Sequence, residues 1–256
     1  MAYTSKNIKM DYLITCISHN RHENIKDFLD KVGTNNVVFF VKDETDKENY
    51  LKNGANEVVI SGSLMDSRNA SLDYCFAKNK ICVQLSDDLE KIMTNDFTGK
   101  RTHEYVQVVD VMENTINHFV ESKYFFAGFP PTNNPFFALK EIELNKFIVG
   151  DFIIVKPNHL KFDDKLRLKE DYDYTLQHIN EFNGCIRYGA FLNSFKHYSN
   201  KGGAVDYRTS ILEQETINYL KTKWGNCIKD NPKRENEILL NKKSFEILNS
   251  NQQSLF

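Results

Sequence analysis

The first ninety residues alternate between short apolar runs and stretches with helical spacing, and this alternation constrains the fold more than any other feature. Four apolar runs have the length of strands: YLITCIS at 12–18, VVFFV at 37–41, EVVI at 57–60 and ICVQL at 81–85. Helical patterns separate them, with Ile25, Phe28, Leu29 and Val32 on one face of the first helix and further helices near 45–53 and 65–79. Apolar strands that alternate with helices are typical of a parallel sheet covered on both faces. We therefore predict an α/β fold with a Rossmann-type, mostly parallel sheet flanked by helices.

The remainder of the chain predicts a less regular, mixed arrangement. Helical spacing recurs at about 104–121, 169–182 and 209–223, and CIRYGAF at 185–191 has the composition of a strand. The run at 146–157 predicts a hairpin that turns at Gly150-Asp151 and ends at Pro157. Because 256 residues without an obvious linker or repeat suit one large domain, we predict a single domain with halves at 1–100 and 101–256.

Charge and composition limit the partners that the chain can have. With 33 Lys and Arg against 35 Asp and Glu, the net charge of −2 excludes a bulk polycation, so binding to nucleic acid requires a local basic face. No apolar run is long enough to span a membrane, and the start MAYTSKNIKMDY lacks the apolar stretch of a signal peptide. The five cysteines are widely spaced without a CxxC motif, which indicates reduced thiols. We expect a cytoplasmic protein with no membrane partner.

Polar residues follow each of the four predicted strands at the point where the strand ends. They are Asn20-Arg21, Asp43-Glu44, Ser61 and Asp87-Asp88. In open α/β sheets, ligands bind at the edge formed by the carboxyl ends of the strands. The sequence therefore predicts a binding site at this edge.

Two of the chemical candidates lie in or beside the fourth unit. The carboxylates of Asp87 and Asp88 repel each other unless a cation intervenes, and their hard oxygen atoms suit Mg²⁺ or Mn²⁺. The alternative is that they cap the helix or turn that follows. Arg68, next to Asn69, could offer its planar guanidinium to a phosphate or a nucleobase carbonyl, and the alternative is an exposed helix arginine.

Two further candidates lie in the second half. Glu170-Asp171, in LKEDYDY, begins a predicted helix, where acidic residues are either favoured by the helix dipole or available as a general base. The Gly202-Gly203 loop, flanked by Lys201 and Arg208, either lets backbone N–H groups approach a phosphate or is a flexible connector. The absence of G-x-G-x-x-G and G-x-x-x-x-G-K-[ST] motifs weighs against Rossmann oxidoreductases and P-loop NTPases.

Four segments taken in order resemble one known family. They are ITCISHNRHENI, SRNASLDYCFAKNKICVQLSDDLEKI, LRLKEDYDYTL and NKGGAVDYR, and they resemble the phage and eukaryotic glycosyltransferases associated with TET/JBP-type base oxidation. The resemblance covers roughly residues 12 to 208. It implies a GT-A-type fold with an acceptor-side second half, a UDP-sugar donor and a divalent metal, Mn²⁺ or Mg²⁺.

The resemblance also implies roles for individual residues. The donor would be bound by Ser18, Asn20, Arg21, Asp43, Arg68, Asn69 and Asp87. The metal would be bound by Asp88 and Asp87. From the residues themselves, His197 is a candidate for a further metal ligand, with a surface or hydrogen-bonded histidine as the alternative. Asp171 would be the catalytic base, with Glu170 beside it. Diphosphate or DNA backbone would be bound by Arg187, Lys201, Gly202, Gly203 and Arg208. Ser86 stands where the family often has a third acidic residue, which leaves open whether Asp87 contacts metal or ribose.

The function implied is the transfer of glucose or arabinose from a UDP-sugar to 5-hydroxymethylcytosine, or to 5-hydroxymethyluracil, in phage DNA. A base in a duplex must be extruded before such a reaction. Phe129, Phe136 and Phe137 are candidates to stack in the place of the extruded base. The alternative for each of them is ordinary packing in the core. Three other readings stay open: a protein or glycan acceptor, a non-catalytic DNA- or nucleotide-binding module on a GT-A scaffold, and an unrelated α/β protein.

Overall fold

The structure is a computed structural model that describes residues 11–100, 104–196 and 208–241. Its strands are β1 (Tyr12–Ile17), β2 (Val37–Val41), β3 (Glu57–Ile60), β4 (Ile81–Ser86), β5 (Leu89–Thr94), β6 (Tyr105–Val106), β7 (Phe126–Gly128), β8 (Ile142–Leu144), β9 (Phe152–Val155), β10 (Ile186–Tyr188), β11 (Phe191–Phe195), β12 (Ile228–Asp230) and β13 (Ile238–Leu240). Its α-helices are α1 (Ile25–Val32), α2 (Glu44–Lys52), α3 (Leu64–Phe76), α4 (Val108–Glu121), α5 (Glu170–Phe182) and α6 (Ser210–Trp224).

Eight strands form one large sheet in the order β3-β2-β1-β4-β9-β7-β10-β8. The first four are parallel to one another, as the alternation of strands and helices predicts. β9 is antiparallel to both of its neighbours, β4 and β7, whereas β7 and β10 are parallel. β8 pairs antiparallel with β10. The prediction of an α/β fold with a mostly parallel, Rossmann-like sheet is therefore confirmed at this level.

Helices cover both faces of the sheet because the strands are apolar on both faces. One buried cluster joins α1 and α4 to strand residues such as Val83, while another joins α3 and α5 to the neighbouring Cys82 on the same strand. Local signals begin and end the helices: Ser63 and Asp66 form a capping box at the start of α3, and Gly33 ends α1 with a left-handed φ of 83°.

A second sheet, in the order β11-β5-β6, crosses the carboxyl edge of the large sheet. β5 starts directly after Asp88, close to the end of β4. Asn95, the first residue after β5, donates its backbone N–H to Ala190 O (2.9 Å), close to the end of β10. β11 returns in the opposite direction, and Lys196 N donates to Asp88 O (3.0 Å). The small sheet therefore connects the carboxyl ends of β4 and β10.

The predicted hairpin at 146–157 is wrong. Only its second part forms a strand, β9, and that strand pairs with β4 and β7 instead of with residues 146–150. All four residues of β9 are buried, so the strand takes a central place with a partner on each side. Hydrophobic pattern alone does not reveal which distant strands those partners are.

Other boundaries also differ from the predictions. The strand expected at 185–191 is divided into β10 and β11, which lie in different sheets. The division falls at Gly189, where a Cβ atom would lie 2.1 Å from Lys140 O. The helix expected from 104 begins at Val108, after the short strand β6. Of the helix or turn that the sequence predicts after β4, the structure shows a turn, formed by Asp87 and Asp88 between β4 and β5.

All five cysteines are free and buried, as predicted for reduced thiols. Within the described ranges, no helix combines the length and the apolar character needed to cross a membrane.

Candidate functional site

The carboxyl ends of β1 and β4 lie side by side, with Ile17 opposite Ser86. From β1 the chain proceeds to β2 and β3 on one side, and it then crosses to β4 on the other side. This reversal of strand order is a topological switch point. In open α/β sheets the loops after the two strands diverge at such a point and form a crevice that binds ligands, so the residues after β1 and after β4 stand where that crevice is expected.

Arg21 and Ser18 hold the acidic pair at the end of β4. Arg21 Nη1 donates to Asp87 Oδ1 (2.5 Å) and also to Asp88 Oδ1, while Ser18 Oγ donates to Asp87 Oδ2. The guanidinium therefore offsets the repulsion between the two carboxylates in this structure. Burial nevertheless raises the pKa of Asp87 above its ordinary value, and Asp88 raises it further, against the opposing effects of Arg21 and Ser18.

Two side chains of α2 that sequence reasoning missed fix the loop after β1. The buried Tyr50 hydroxyl shares a hydrogen bond with Ser18 Oγ and accepts one from Arg21 N (3.2 Å). Asp46 bonds His19 Nδ1 (2.6 Å) and accepts from Asn20 N (3.1 Å). The four-residue spacing of Asp46 and Tyr50, which places both on one helix face, was the signal available in the sequence.

Asp43 follows β2, as predicted, and its side chain begins α2. Its Oδ1 accepts from Asp46 N (3.0 Å), which makes it the N-cap of the helix, and the residue is exposed. The cap places Asp43 near the loop after β1, because Asp46 contacts that loop. A role in capping and a role in binding a donor are compatible at this position.

Arg68 is buried rather than exposed, so the reading as a surface helix arginine is wrong. Its Nη1 donates to Gln84 Oε1 (2.7 Å) and to Gly150 O (2.9 Å), and its Nη2 pairs with Glu170 Oε1 (2.9 Å). A Cβ atom at Gly150 would lie 2.7 Å from Nη2, so the approach requires glycine. Arg68 thereby connects β4, the residues before β9 and the start of α5. Its neighbour Asn69 exchanges two hydrogen bonds with the backbone of Phe162 (2.9 and 2.8 Å).

The first turn of α5 contains Glu170 and Asp171, and it is connected to the carboxyl edge of the large sheet through Gly150 and Asp151. Gly150 N donates to Asp171 Oδ2 (3.4 Å), and Ser86 N donates to Asp151 O (2.8 Å). These contacts bring Asp171, from the second half of the chain, close to the end of β4. Asp151 also belongs to this site, although the predicted hairpin places it in a turn. Its position directly before a fully apolar run was the feature of the sequence that could have indicated its place at the edge of the sheet.

Burial gives two of these carboxyl groups unusual proton affinity. It raises the pKa of Asp151 to about 7, with Glu170 and Asp88 raising it further and Arg68 lowering it. Burial likewise raises the pKa of Asp171 to about 7, with Glu170 and Asp151 adding to the effect and Arg68 opposing it. A carboxylate with such a pKa is a stronger base than an exposed aspartate and can accept a proton near neutral pH.

The predicted phosphate-binding residues are only partly described. Arg187 is buried and donates from Nε to Glu143 Oε2 (3.1 Å) on β8. Arg208 pairs with Glu213 (3.4 Å), which also pairs with Lys169, the residue before α5. Outside the described residues lie His197, Lys201, Gly202 and Gly203.

The described residues include two ligands of the chemical type that a divalent metal prefers, but no third ligand beside them. Asp87 and Asp88 offer carboxylate oxygen atoms, which Mg²⁺ and Mn²⁺ prefer. Among the residues that the structure describes, no three His, Cys, Asp or Glu side chains are grouped in a way that could hold a metal ion.

Comparison with models of known protein families gives no match, and comparison with curated protein sequences gives none either.

Proposed function

We propose that this protein is a metal-dependent glycosyltransferase of GT-A type that transfers glucose or arabinose from a UDP-sugar to the hydroxymethyl group of 5-hydroxymethylcytosine in DNA. One observation carries the proposal: the Asp87-Asp88 turn and the half-buried Asp171 lie at the same carboxyl edge of a Rossmann-like sheet, connected through Gly150 and Asp151. The same motifs carry the family resemblance of the sequence.

The donor occupies the crevice between the ends of β1 and β4. Asn20 and Asp43 supply polar groups for the uridine, while Ser18 and Arg21 position the acidic pair beside the diphosphate. Asp88 and Asp87 would hold the divalent ion, and the diphosphate would complete its ligands. When bound, such an ion neutralises the negative charge that develops on the departing UDP.

The reaction is a displacement at the anomeric carbon of the sugar. The acceptor hydroxyl oxygen forms the new bond to this carbon, and the bond to the phosphate oxygen of UDP breaks, with its electron pair leaving on UDP. The hydroxyl proton passes to the carboxylate of Asp171, whose raised pKa suits a base at neutral pH. Glu170, held by Arg68, contributes to the raised pKa of that base.

The test is intact-mass analysis of a short duplex that contains 5-hydroxymethylcytosine, after incubation with the protein, Mn²⁺ and a panel of UDP-sugars. We expect a hexose or pentose increment on the hydroxymethylated strand and none on a matched cytosine duplex. Asp88→Asn is expected to abolish the increment, whereas Asp164→Asn, at an exposed position, serves as the matched control.

The remaining outcomes separate the alternatives. Release of UDP without a mass increment on DNA would move the acceptor to a protein or a glycan. Binding of UDP without any release would support a non-catalytic module. A transfer that Asp88→Asn leaves intact would overturn the assignment of the acidic pair.

A further inference from the structure

The segment between β7 and β8 presents two phenylalanines to solvent. The exposed fractions are 64% for Phe136, 63% for Phe137 and 56% for the nearby Leu139. Phe129, at the start of the same segment, is instead buried with its ring 4.4 Å from that of Phe152, so it belongs to the core. Adjacent exposed aromatic residues are unusual on a soluble surface and mark a site of contact with another molecule.

Hydrogen bonds fix this exposed tip in place. Asn134 Oδ1 accepts from Phe136 N (3.1 Å) and caps a single turn of 3-10 helix. Asn95 Nδ2 donates to both Ala138 O and Gly189 O (2.7 Å each). The two rings meet edge to face, with their centroids 5.4 Å apart. The chain therefore holds the rings outward by specific contacts instead of folding them into the core.

The tip lies at the same edge of the sheet as the acidic residues. β7 and β10 are parallel to β4, because β9 is antiparallel to both β4 and β7, so the segment after β7 leaves the sheet at the same edge as β4, with β9 between the two strands. One strand separates β4 from β7, which corresponds to about 10 Å along the edge.

Positive charges accompany the tip on the elements that anchor it. Lys140 follows the tip directly, Lys91 lies on β5, and Lys196 follows β11. Lysine side chains contact phosphates, and aromatic rings stack on bases. The exposed Glu141 and Asp96 lie beside the same tip, so the aromatic pair, and not the net charge, favours a nucleic acid as the partner.

We propose that Phe136 and Phe137 form an aromatic wedge that stacks on the bases of the acceptor DNA while the target base is extruded toward Asp171. Proteins that unstack a duplex commonly insert apolar side chains at the step that opens. This inference rests on the proposed function, since it requires DNA to be the acceptor.

The test compares the double variant Phe136→Ala/Phe137→Ala with Ile211→Ala, which removes an apolar side chain of 72% exposure on α6. Three quantities are measured: transfer to a duplex that contains 5-hydroxymethylcytosine, transfer to free 5-hydroxymethyl-2′-deoxycytidine, and fluorescence of 2-aminopurine placed beside the target base. We expect the double variant to lose about ten- to hundredfold in kcat/KM on the duplex and to lose the fluorescence rise. Transfer to the nucleoside is expected to stay unchanged, and Ile211→Ala is expected to match the wild type in all three.

Two results would overturn the wedge while leaving the proposed function in place: unchanged duplex transfer by the double variant, or an equal loss on the duplex and on the nucleoside. Wild-type protein that transfers to neither would instead refute the proposed function, and the wedge with it.

Discussion

The two halves of the large sheet differ in how their strands find partners. In the half formed by β3, β2, β1 and β4, all strands are parallel and each helix connects strands that are close in the sequence. In the half formed by β9, β7, β10 and β8, both orientations occur and β9 pairs with a strand about seventy residues earlier. The first half can be derived from local patterns, because βαβ units have one favoured geometry. The second half cannot, because its order depends on distant pairings.

The candidate site combines residues from both halves. The first half supplies the acidic turn and Arg21, whereas the second supplies Asp171 and Gly150-Asp151. Their different contributions can be separated by experiment.

The largest effect is expected from removal of the base contributed by the mixed half. Asp171→Asn removes the proton acceptor with little change in size, so kcat is expected to fall by about 10²- to 10⁴-fold while KM for the UDP-sugar changes little. Steady-state assays of sugar transfer, with Asp164→Asn as control, measure both constants. If kcat is unchanged, Asp171 is not the base, and the catalytic residues would lie in the parallel half alone.

Core truncation tests whether the two halves fold together. Phe39, on β2, and Phe129, after β7, are both buried in the same cluster. Replacement of either by Ala is expected to lower the free energy of unfolding by about 3–5 kcal/mol, with a single transition in both cases. Urea unfolding followed by circular dichroism gives this quantity. A biphasic curve for Phe129→Ala alone would show that the mixed half unfolds separately.

The substitution Gly150→Ala tests the contact between Gly150 and Arg68, which joins the two halves of the sheet. In Gly150→Ala the added Cβ would lie 2.7 Å from Arg68 Nη2, so the guanidinium must shift, at a cost of about 1–3 kcal/mol in unfolding free energy. A double-mutant cycle with Arg68→Lys measures the coupling between the two positions. If the effects of the two substitutions are additive, the contact between Arg68 and Gly150 is not the cause of the lost stability in Gly150→Ala.

The pH dependence of activity and stability is expected to have opposite signs. The folded pKa of about 7 for Asp151 and Asp171 lies above their ordinary value of 3.8, so these groups stabilise the protein most below about pH 4. That contribution is lost as the pH rises through 7, whereas transfer rises over the same range because the base must lose its proton. Urea midpoints and initial rates between pH 5 and 8 check both slopes. The stability slope is expected to be shallower in Asp171→Asn, and an equal slope would contradict the assignment.

The smallest effect is expected at Asp43, in the parallel half. Asp43→Ala removes the N-cap of α2 and is expected to cost about 1 kcal/mol in unfolding free energy, whereas Asp43→Asn retains a capping side chain. Asp43→Asn therefore isolates the proposed contact with the donor, which is expected as a rise in KM for the UDP-sugar at unchanged stability. If KM stays at the wild-type value in Asp43→Asn, the side chain serves only as a cap.

Part of the candidate site could be predicted from position in the sequence. Ser18, Arg21, Asp87 and Asp88 each follow an apolar strand, and parallel strands bring their carboxyl ends to one edge. Tyr50 and Asp151 were missed, since their roles depend on contacts with loops that are distant in the sequence. The burial of Arg68 was missed for the same reason: an arginine on a helix looks exposed until its partners on β4 and α5 are known.

The α/β class, the four parallel strands and the edge at which their polar residues gather can all be predicted from the amino-acid pattern. These features follow from hydrophobic periodicity and from the short connections of βαβ units. The position of β9 between β4 and β7, and with it the connection of Asp171 to the end of β4 through Gly150 and Arg68, is visible only in the folded chain. A buried antiparallel strand pairs with whichever strand edges the rest of the fold leaves open, and the local sequence does not specify those edges.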